Sequence, residues 1–208
     1  MKRCVIIGGA DIHSYERIKK ELSENDFYIF CDSGLKHMAP LGIVPHLIVG
    51  DFDSHEKPDL SVETMILPRE KDDSDTVFAA KEGLKRGFDD FLLLGAAGRR
   101  LDHTLCNVSI LLMLEEKGKK ARLLDDFSVM EIVSREPKFV SAEYPYFSLM
   151  NITGDADGIT VENAKFPLEN GRIPCEYQFG LSNEPLAGKE AKITLREGRL
   201  LLVKVENP

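Results

Sequence analysis

Short apolar runs alternate with helical patterns through the first 125 residues. The strand-like runs cover residues 4–7, 27–31, 47–49, 62–67, 91–94 and 121–124, and several are continuously apolar, as strands buried on both faces of a sheet are. Between them, apolar residues recur at helical spacing, as at Tyr15, Ile18 and Leu22. This alternation predicts an α/β domain with a mostly parallel sheet flanked by helices, and ligands at the carboxyl ends of the strands.

The pattern changes after about Asp125. The runs over residues 129–134, 139–142, 147–152, 159–161, 191–195 and 200–205 are short, rich in branched or aromatic residues, and separated by Gly, Pro and Asn. They predict an antiparallel β-sandwich or small barrel. The pair Glu197-Gly198 between the last two runs predicts a tight hairpin. We therefore expect an α/β domain over residues 1–125 and a β domain over residues 126–208.

Composition limits the possible function classes. The chain has 208 residues, 43% of them hydrophobic, which excludes a disordered or fibrous protein. Its net charge of −8 would repel nucleic acid and anionic membranes, so we expect small-molecule chemistry. The four cysteines form no C-x-x-C pair, and nowhere do 18 apolar residues follow one another. These features favour a reduced, cytoplasmic setting without a zinc site or membrane segment.

Two carboxylates follow the strand predicted over residues 47–49. In an extended backbone Asp51 and Asp53 project to the same side, while Phe52 points the other way. Such a pair suits Mg²⁺, although a turn rich in Asp after a strand is an equally good interpretation of the motif alone.

A second acidic group, Lys71-Asp72-Asp73-Ser74-Asp75, lies where a strand gives way to a helix. Ser74 or Asp75 there would cap the helix without any catalytic role. Asp75 could instead be a third oxygen ligand beside Asp51 and Asp53, whereas Asp73 is expected to face solvent.

A glycine loop follows the strand predicted over residues 91–94. The loop runs from Gly95 to Gly98 and continues into Arg99 and Arg100, just before a predicted helix. Backbone N–H groups and guanidinium groups there would form a phosphate cradle. Asp102 could equally be the N-cap of that helix, and His103 could be a half-buried histidine with a structural role.

Charge links these three segments. Aspartates facing a polyphosphate would repel it, but Mg²⁺ held by Asp51, Asp53 and Asp75 reverses the sign of that interaction. With Lys71 and the two arginines nearby, an acidic protein could then bind and polarise a polyphosphate. All three segments lie just after predicted strands, so the sheet would gather them on one edge.

At these residues the sequence resembles the thiamine pyrophosphokinase family. The matching elements appear in family order: residues 31–34 with 41–45, 50–54, 71–75, 95–103 and 180–184. The resemblance implies an amino-terminal α/β catalytic domain, a carboxyl-terminal β-sandwich that binds thiamine, and a homodimer with active sites between subunits. It also implies transfer of pyrophosphate from ATP to the hydroxyl of thiamine, which yields thiamine diphosphate and AMP.

The resemblance also implies roles for individual residues. Mg²⁺ would be held by Asp51, Asp53 and Asp75, which with Arg100 and Asp102 form the catalytic set. Thiamine would be bound by Ser182 and Asn183, although on its own this pair is typical of a turn. The nucleotide would be bound by Asp32, Ser33, Gly34, Lys71, Asp72, Gly98, Arg99, Arg100, Asp102 and His103.

This sequence departs from the family pattern at some positions. Ser33 and Arg99 stand where glycine is usual, and the chain has no Trp. The aromatic platform that some family members place under thiamine would therefore come from another ring, such as Tyr177 or Phe179, or be missing.

The predicted reaction is in-line attack of the thiamine hydroxyl on the β-phosphorus of ATP. Asp102 or one of the metal-side aspartates would accept the hydroxyl proton. The alternatives are a Mg²⁺-dependent phosphohydrolase, and a nucleotide or thiamine sensor without enzymatic activity.

Overall fold

The computed structural model describes residues 3–52, 60–154 and 156–206. The chain divides into two compact units, Met1–Asp126 and Phe127–Pro208. The predicted fold class is confirmed, with a parallel sheet and helices in the first unit and antiparallel sheets in the second.

The first unit is built on a parallel sheet with strand order β4-β3-β2-β1-β5-β6. The apolar blocks of the sequence form its central strands, which are buried almost throughout because helices cover parallel sheets. The strands are β1 (Arg3–Ile7), β2 (Phe27–Cys31), β3 (Leu47–Gly50), β4 (Glu63–Ile66), β5 (Asp90–Leu94) and β6 (Lys120–Leu124).

The described helices of this unit are α1 (Tyr15–Lys20), α2 (Met38–Leu41), α3 (Asp75–Lys85) and α4 (Leu101–Glu116), and a 3-10 helix spans Asp32–His37. The sequence predicted α1, α3 and α4 but neither α2 nor the 3-10 helix. Ser74 is the N-cap of α3 and accepts a hydrogen bond from the Val77 N–H, which confirms its capping role. Asp102 is not a cap, because Arg100 holds the N-cap position of α4.

The second unit contains two antiparallel sheets that share one apolar core. The first has strand order β7-β13-β9 and the second β11-β10-β12-β8. Phe147 and Leu149 from the first sheet and Ile159 and Ile193 from the second are all buried in this core. The strands are β7 (Ser128–Val133), β8 (Lys138–Val140), β9 (Tyr146–Met150), β10 (Asp157–Glu162), β11 (Leu168–Arg172), β12 (Ala191–Thr194) and β13 (Leu200–Val205).

Two details of the second unit differ from what the sequence predicts. Glu197-Gly198 does not close a hairpin, because β12 pairs with β10 and β8 while β13 pairs with β7 and β9 in the other sheet. The turn carries the chain between sheets, and Gly198 takes a φ of 92° there. Strand β11 was not predicted because its sequence, Leu-Glu-Asn-Gly-Arg, has no apolar alternation.

Candidate functional site

A cavity of about 380 Å³ opens at the carboxyl ends of the parallel strands in the first unit. Its wall includes the glycine loops that follow β1 and β5, residues 8–11 and 95–98. The two loops are joined by a hydrogen bond from the Ala10 N–H to the Gly95 carbonyl, 2.8 Å. A Cβ on Gly8 would lie 2.6 Å from the Gly95 oxygen, so side chains are excluded where the loops meet.

The 3-10 helix after β2 forms another wall of this cavity. Gly34 packs so closely on β1 that a Cβ there would lie 2.2 Å from the Ile7 carbonyl oxygen. Ser33 lines the cavity and packs on Gly9, where a Cβ would meet its Oγ at 1.9 Å. The small residues therefore bring three backbone segments together around a space that a ligand can enter.

A buried polar network ties the cavity wall to the helices behind it. Asn107 on α4 donates from Nδ2 to the Ala96 carbonyl at 2.7 Å and accepts from the Thr76 hydroxyl at 2.6 Å. Thr76 also contacts Ser74, with 3.1 Å between their hydroxyl oxygens. This network fixes the loop after β5 to the first turn of α3.

Two of the predicted metal ligands converge on one lysine. The Lys71 ammonium lies 2.7 Å from Asp51 Oδ2 and 3.0 Å from Asp75 Oδ1. The three side chains are only 14–25% exposed. Burial by itself lowers the pKa of Lys71, but the hydrogen bonds and charges of Asp51 and Asp75 outweigh it and raise that pKa above 10.5.

Asp32 lies near the same cluster. It is buried, at 3% exposure, and Gly50 makes room for it, because a Cβ on Gly50 would lie 2.5 Å from the Asp32 Cβ. Burial raises the pKa of the Cys31 thiol well above 9.0, and the charges of Asp75 and Asp32 raise it further. Negative charge is therefore concentrated beside the cavity.

The chemistry of this cluster fits a divalent cation. Asp51 and Asp75 both direct a carboxylate oxygen at the same nitrogen, and Mg²⁺ on phosphate usually takes one or two protein carboxylates together with water and phosphate oxygens. Asp53, the third predicted ligand, lies outside the described residues. Among the residues that are described, no group of three or more His, Cys, Asp or Glu side chains is placed to hold a metal.

The predicted phosphate-binding segment also lines the cavity. Gly98, Arg99, Arg100 and His103 are all lining residues. Thr104 on α4 holds the loop, because its Oγ1 accepts from the Gly98 N–H at 3.1 Å.

The Arg100 guanidinium is paired with the Asp102 carboxylate through hydrogen bonds of 2.9 and 2.6 Å. That pairing lowers the pKa of Asp102 and raises that of Arg100. His103, which could have been half-buried, is exposed. Asp72 is exposed too, and it is not among the residues that line the cavity.

The predicted thiamine residues lie in the second unit, in a turn beside a small cavity of about 120 Å³. Asn183 is buried, and its side-chain amide pairs with the backbone of Phe166 in both directions, at 3.0 and 2.8 Å. Ser182 is exposed in a left-handed conformation, with φ at 54°. The Tyr177 and Phe179 rings are both exposed, with centroids 5.8 Å apart.

Several residues of the site were not predicted from the sequence. Gly8 and Gly9 follow an apolar strand directly, which is a signal that could have identified the first loop. His37 is buried beneath that loop: its Nε2 donates to the Ala10 carbonyl at 2.8 Å, and Nδ1 accepts from the Tyr15 hydroxyl at 2.7 Å. Burial lowers the pKa of His37 below 6.5, so the neutral ring supports the loop.

These features define an α/β protein in which two glycine loops, two arginines and Asp75 line one cavity at the carboxyl ends of a parallel sheet, a class whose site has the groups that phosphate chemistry needs. Residues 18–123 match the family described as "Thiamin pyrophosphokinase, catalytic domain", and residues 130–200 match "Thiamin pyrophosphokinase, vitamin B1 binding domain". The chain therefore belongs to the thiamin pyrophosphokinase family, as the sequence motifs predicted.

Individual proteins match nearly the whole length of this chain. The thiamine pyrophosphokinase of Bacillus subtilis (strain 168) is 25% identical over 98% of this chain and 99% of its own. A crystal structure of thiamine pyrophosphokinase from Bacillus subtilis covers 100% of both chains with a TM-score of 0.87 at 21% identity. The yeast enzyme covers 98% of this chain and 86% of its own, with a TM-score of 0.73 at 14% identity.

Membrane insertion through a helix requires a long apolar segment. None of the helices among the described residues is long and apolar enough to cross a bilayer.

Proposed function

We propose that this protein transfers pyrophosphate from ATP to the hydroxyl of thiamine, giving thiamine diphosphate and AMP. The observation that carries the proposal is the carboxylate pair, Asp51 and Asp75, held together beside a glycine-walled cavity. Two arginines line that cavity at the N-terminus of α4, where helix dipole and guanidinium charge both favour phosphate. Family membership supports thiamine as the acceptor.

In this proposal the chain mainly positions groups and stabilises charge. Backbone N–H groups of the loops at residues 8–11 and 95–98, other than those of Gly8, Ala10 and Gly98 that donate within the protein, hold phosphate oxygens. Arg99 and Arg100 take up the charge that develops during transfer. Mg²⁺, when bound by Asp51 and Asp75, would neutralise β- and γ-phosphate oxygens. Asp102 or a metal-side aspartate accepts the proton of the attacking hydroxyl.

The remaining expectations from the family are part of the same proposal. They are an ATP co-substrate, a homodimer, thiamine binding near Ser182 and Asn183, and a cytoplasmic location. Exposed aromatic residues of the second unit, such as Phe166 and Phe179, supply apolar surface for a partner or an aromatic ligand. Light scattering of the purified protein tests the dimer directly.

The nucleotide product tests the reaction. Purified protein is incubated with ATP, Mg²⁺ and thiamine, and the products are separated by chromatography. AMP and thiamine diphosphate in equal amounts are expected. ADP with thiamine monophosphate would contradict the proposed bond cleavage, and phosphate release without thiamine would identify a phosphohydrolase.

Variants test the carboxylate pair. Asp51→Asn and Asp75→Asn are each expected to lower turnover about 100-fold or more, because each removes charge from the metal-binding pair. Asp73→Asn is the matched control, since Asp73 lies in the same loop but pairs with Lys81 at 2.6 Å. Retained activity in both site variants, with normal unfolding curves, would remove the metal assignment.

A further inference from the structure

Lys71 occupies an unusual position for a phosphate-binding lysine. Its ammonium lies between the two predicted metal-ligand carboxylates, 2.7 Å from Asp51 and 3.0 Å from Asp75. These are the distances of direct ion pairs, and the group is 16% exposed. The cluster already has one positive charge within the pair of negative charges.

A divalent cation that bridges Asp51 and Asp75 would need nearly the same volume. The two cations would repel each other there, because like charges about 4 Å apart repel more strongly in a partly buried site than in water, and a divalent ion doubles that repulsion. Lys71 contacts Asp51 Oδ2 and Asp75 Oδ1, and an ion that bridges these two oxygens would have to displace it from them. Lys71 and such a metal therefore compete for the same pair of negative charges.

We propose that Lys71 is an internal counter-cation that excludes the divalent metal from Asp51 and Asp75 until a polyphosphate draws its ammonium away. This inference deepens the proposed function and rests on it. The phosphates supply a second anionic partner for Lys71, so the metal and the nucleotide enter together. Without nucleotide, the lysine keeps the two carboxylates neutralised and the loops in place.

A binding measurement without nucleotide tests this exchange separately from activity. Mn²⁺ is titrated into the full-length protein without ATP, and free Mn²⁺ is measured by electron paramagnetic resonance. Lys71→Met removes the competing charge, so Mn²⁺ is expected to bind at least tenfold more tightly than in the wild type, which corresponds to about 1.4 kcal/mol. Lys71→Arg keeps the charge and is expected to bind Mn²⁺ as weakly as the wild type.

Two further variants serve as a charge control and as a replacement for Lys71→Met. Lys81→Met removes a lysine that pairs only with Asp73 among the ion pairs of the described residues, so it controls for the general loss of one positive charge. It should leave Mn²⁺ affinity unchanged. If Lys71→Met does not fold, Lys71→Gln keeps a hydrogen-bond donor toward the carboxylates and is titrated instead, with the same tenfold gain expected.

The outcomes separate the two proposals. The proposed exchange of Lys71 for the metal is overturned if the neutral Lys71 variants bind Mn²⁺ no more tightly than the wild type. It is also overturned if none of the proteins binds Mn²⁺ detectably. A gain that Lys81→Met reproduces overturns it as well, because net charge would then be the cause. Failure to form AMP and thiamine diphosphate would overturn the proposed function, whereas the Mn²⁺ titration reports on the exchange alone.

Discussion

Asn107 gives the sharpest test of how the cavity wall is held. Its Nδ2 donates to the Ala96 carbonyl at 2.7 Å in a buried position, and its Oδ1 accepts from Thr76. Asn107→Ala leaves the Ala96 carbonyl buried without this donor, which costs about 1–3 kcal/mol, and loses the bond from Thr76, worth about 1 kcal/mol. We therefore expect a loss of about 2–4 kcal/mol in the free energy of unfolding.

Circular dichroism at 222 nm is the appropriate probe, because the described helices all lie in the first unit. Urea unfolding at pH 7 should show a lower midpoint for Asn107→Ala with an unchanged slope. Ser109→Ala, on the exposed side of the same helix, is the control and should change stability by less than about 0.5 kcal/mol. A similarly small change for Asn107→Ala would refute the reasoning about the network.

Three other predictions concern burial and charge. Gly34→Ala should prevent normal packing of the cavity wall, because the new Cβ would lie 2.2 Å from the Ile7 carbonyl oxygen. The affinity for ATP, measured by calorimetry, should fall at least about tenfold. An unchanged affinity would contradict this reasoning. Glu131 is buried, and although burial raises its pKa, the charges and hydrogen bonds of Lys204 and Lys138 hold it below 4.5. The ionised Glu131 therefore stabilises the fold above about pH 4.5, and this contribution is lost as the pH falls through the lower pKa that Glu131 has in the folded protein. In Glu131→Gln the urea unfolding midpoint should fall less steeply with decreasing pH in this range. An equally steep fall in both proteins would exclude this role. His37 is buried and its pKa in the folded protein lies below 6.5, so the unfolded chain binds the proton more readily. The urea unfolding midpoint should therefore decline as the pH falls below 6.5. His37→Gln should not show this decline.

The sequence determined the local features of this protein. Continuous apolar blocks predicted the buried parallel strands, because neither face of a strand covered by helices contacts water and the residues on both faces are apolar. The helix N-cap at Ser74 and the motifs that follow the strands could also be predicted from the sequence, because they depend on neighbours within a few residues. The order of these motifs along the chain is itself a property of the sequence, so the family could be inferred from them.

The tertiary structure decided the relations between distant segments. That Lys71 reaches Asp51, 20 residues away, depends on which strands are adjacent, whereas its contact with Asp75 is a local i,i+4 pair. The supposed hairpin at Glu197-Gly198 failed for the same reason, because strand pairing in the two sheets is non-local. The polar strand β11 forms through backbone hydrogen bonds at a sheet edge, where side-chain pattern carries little information.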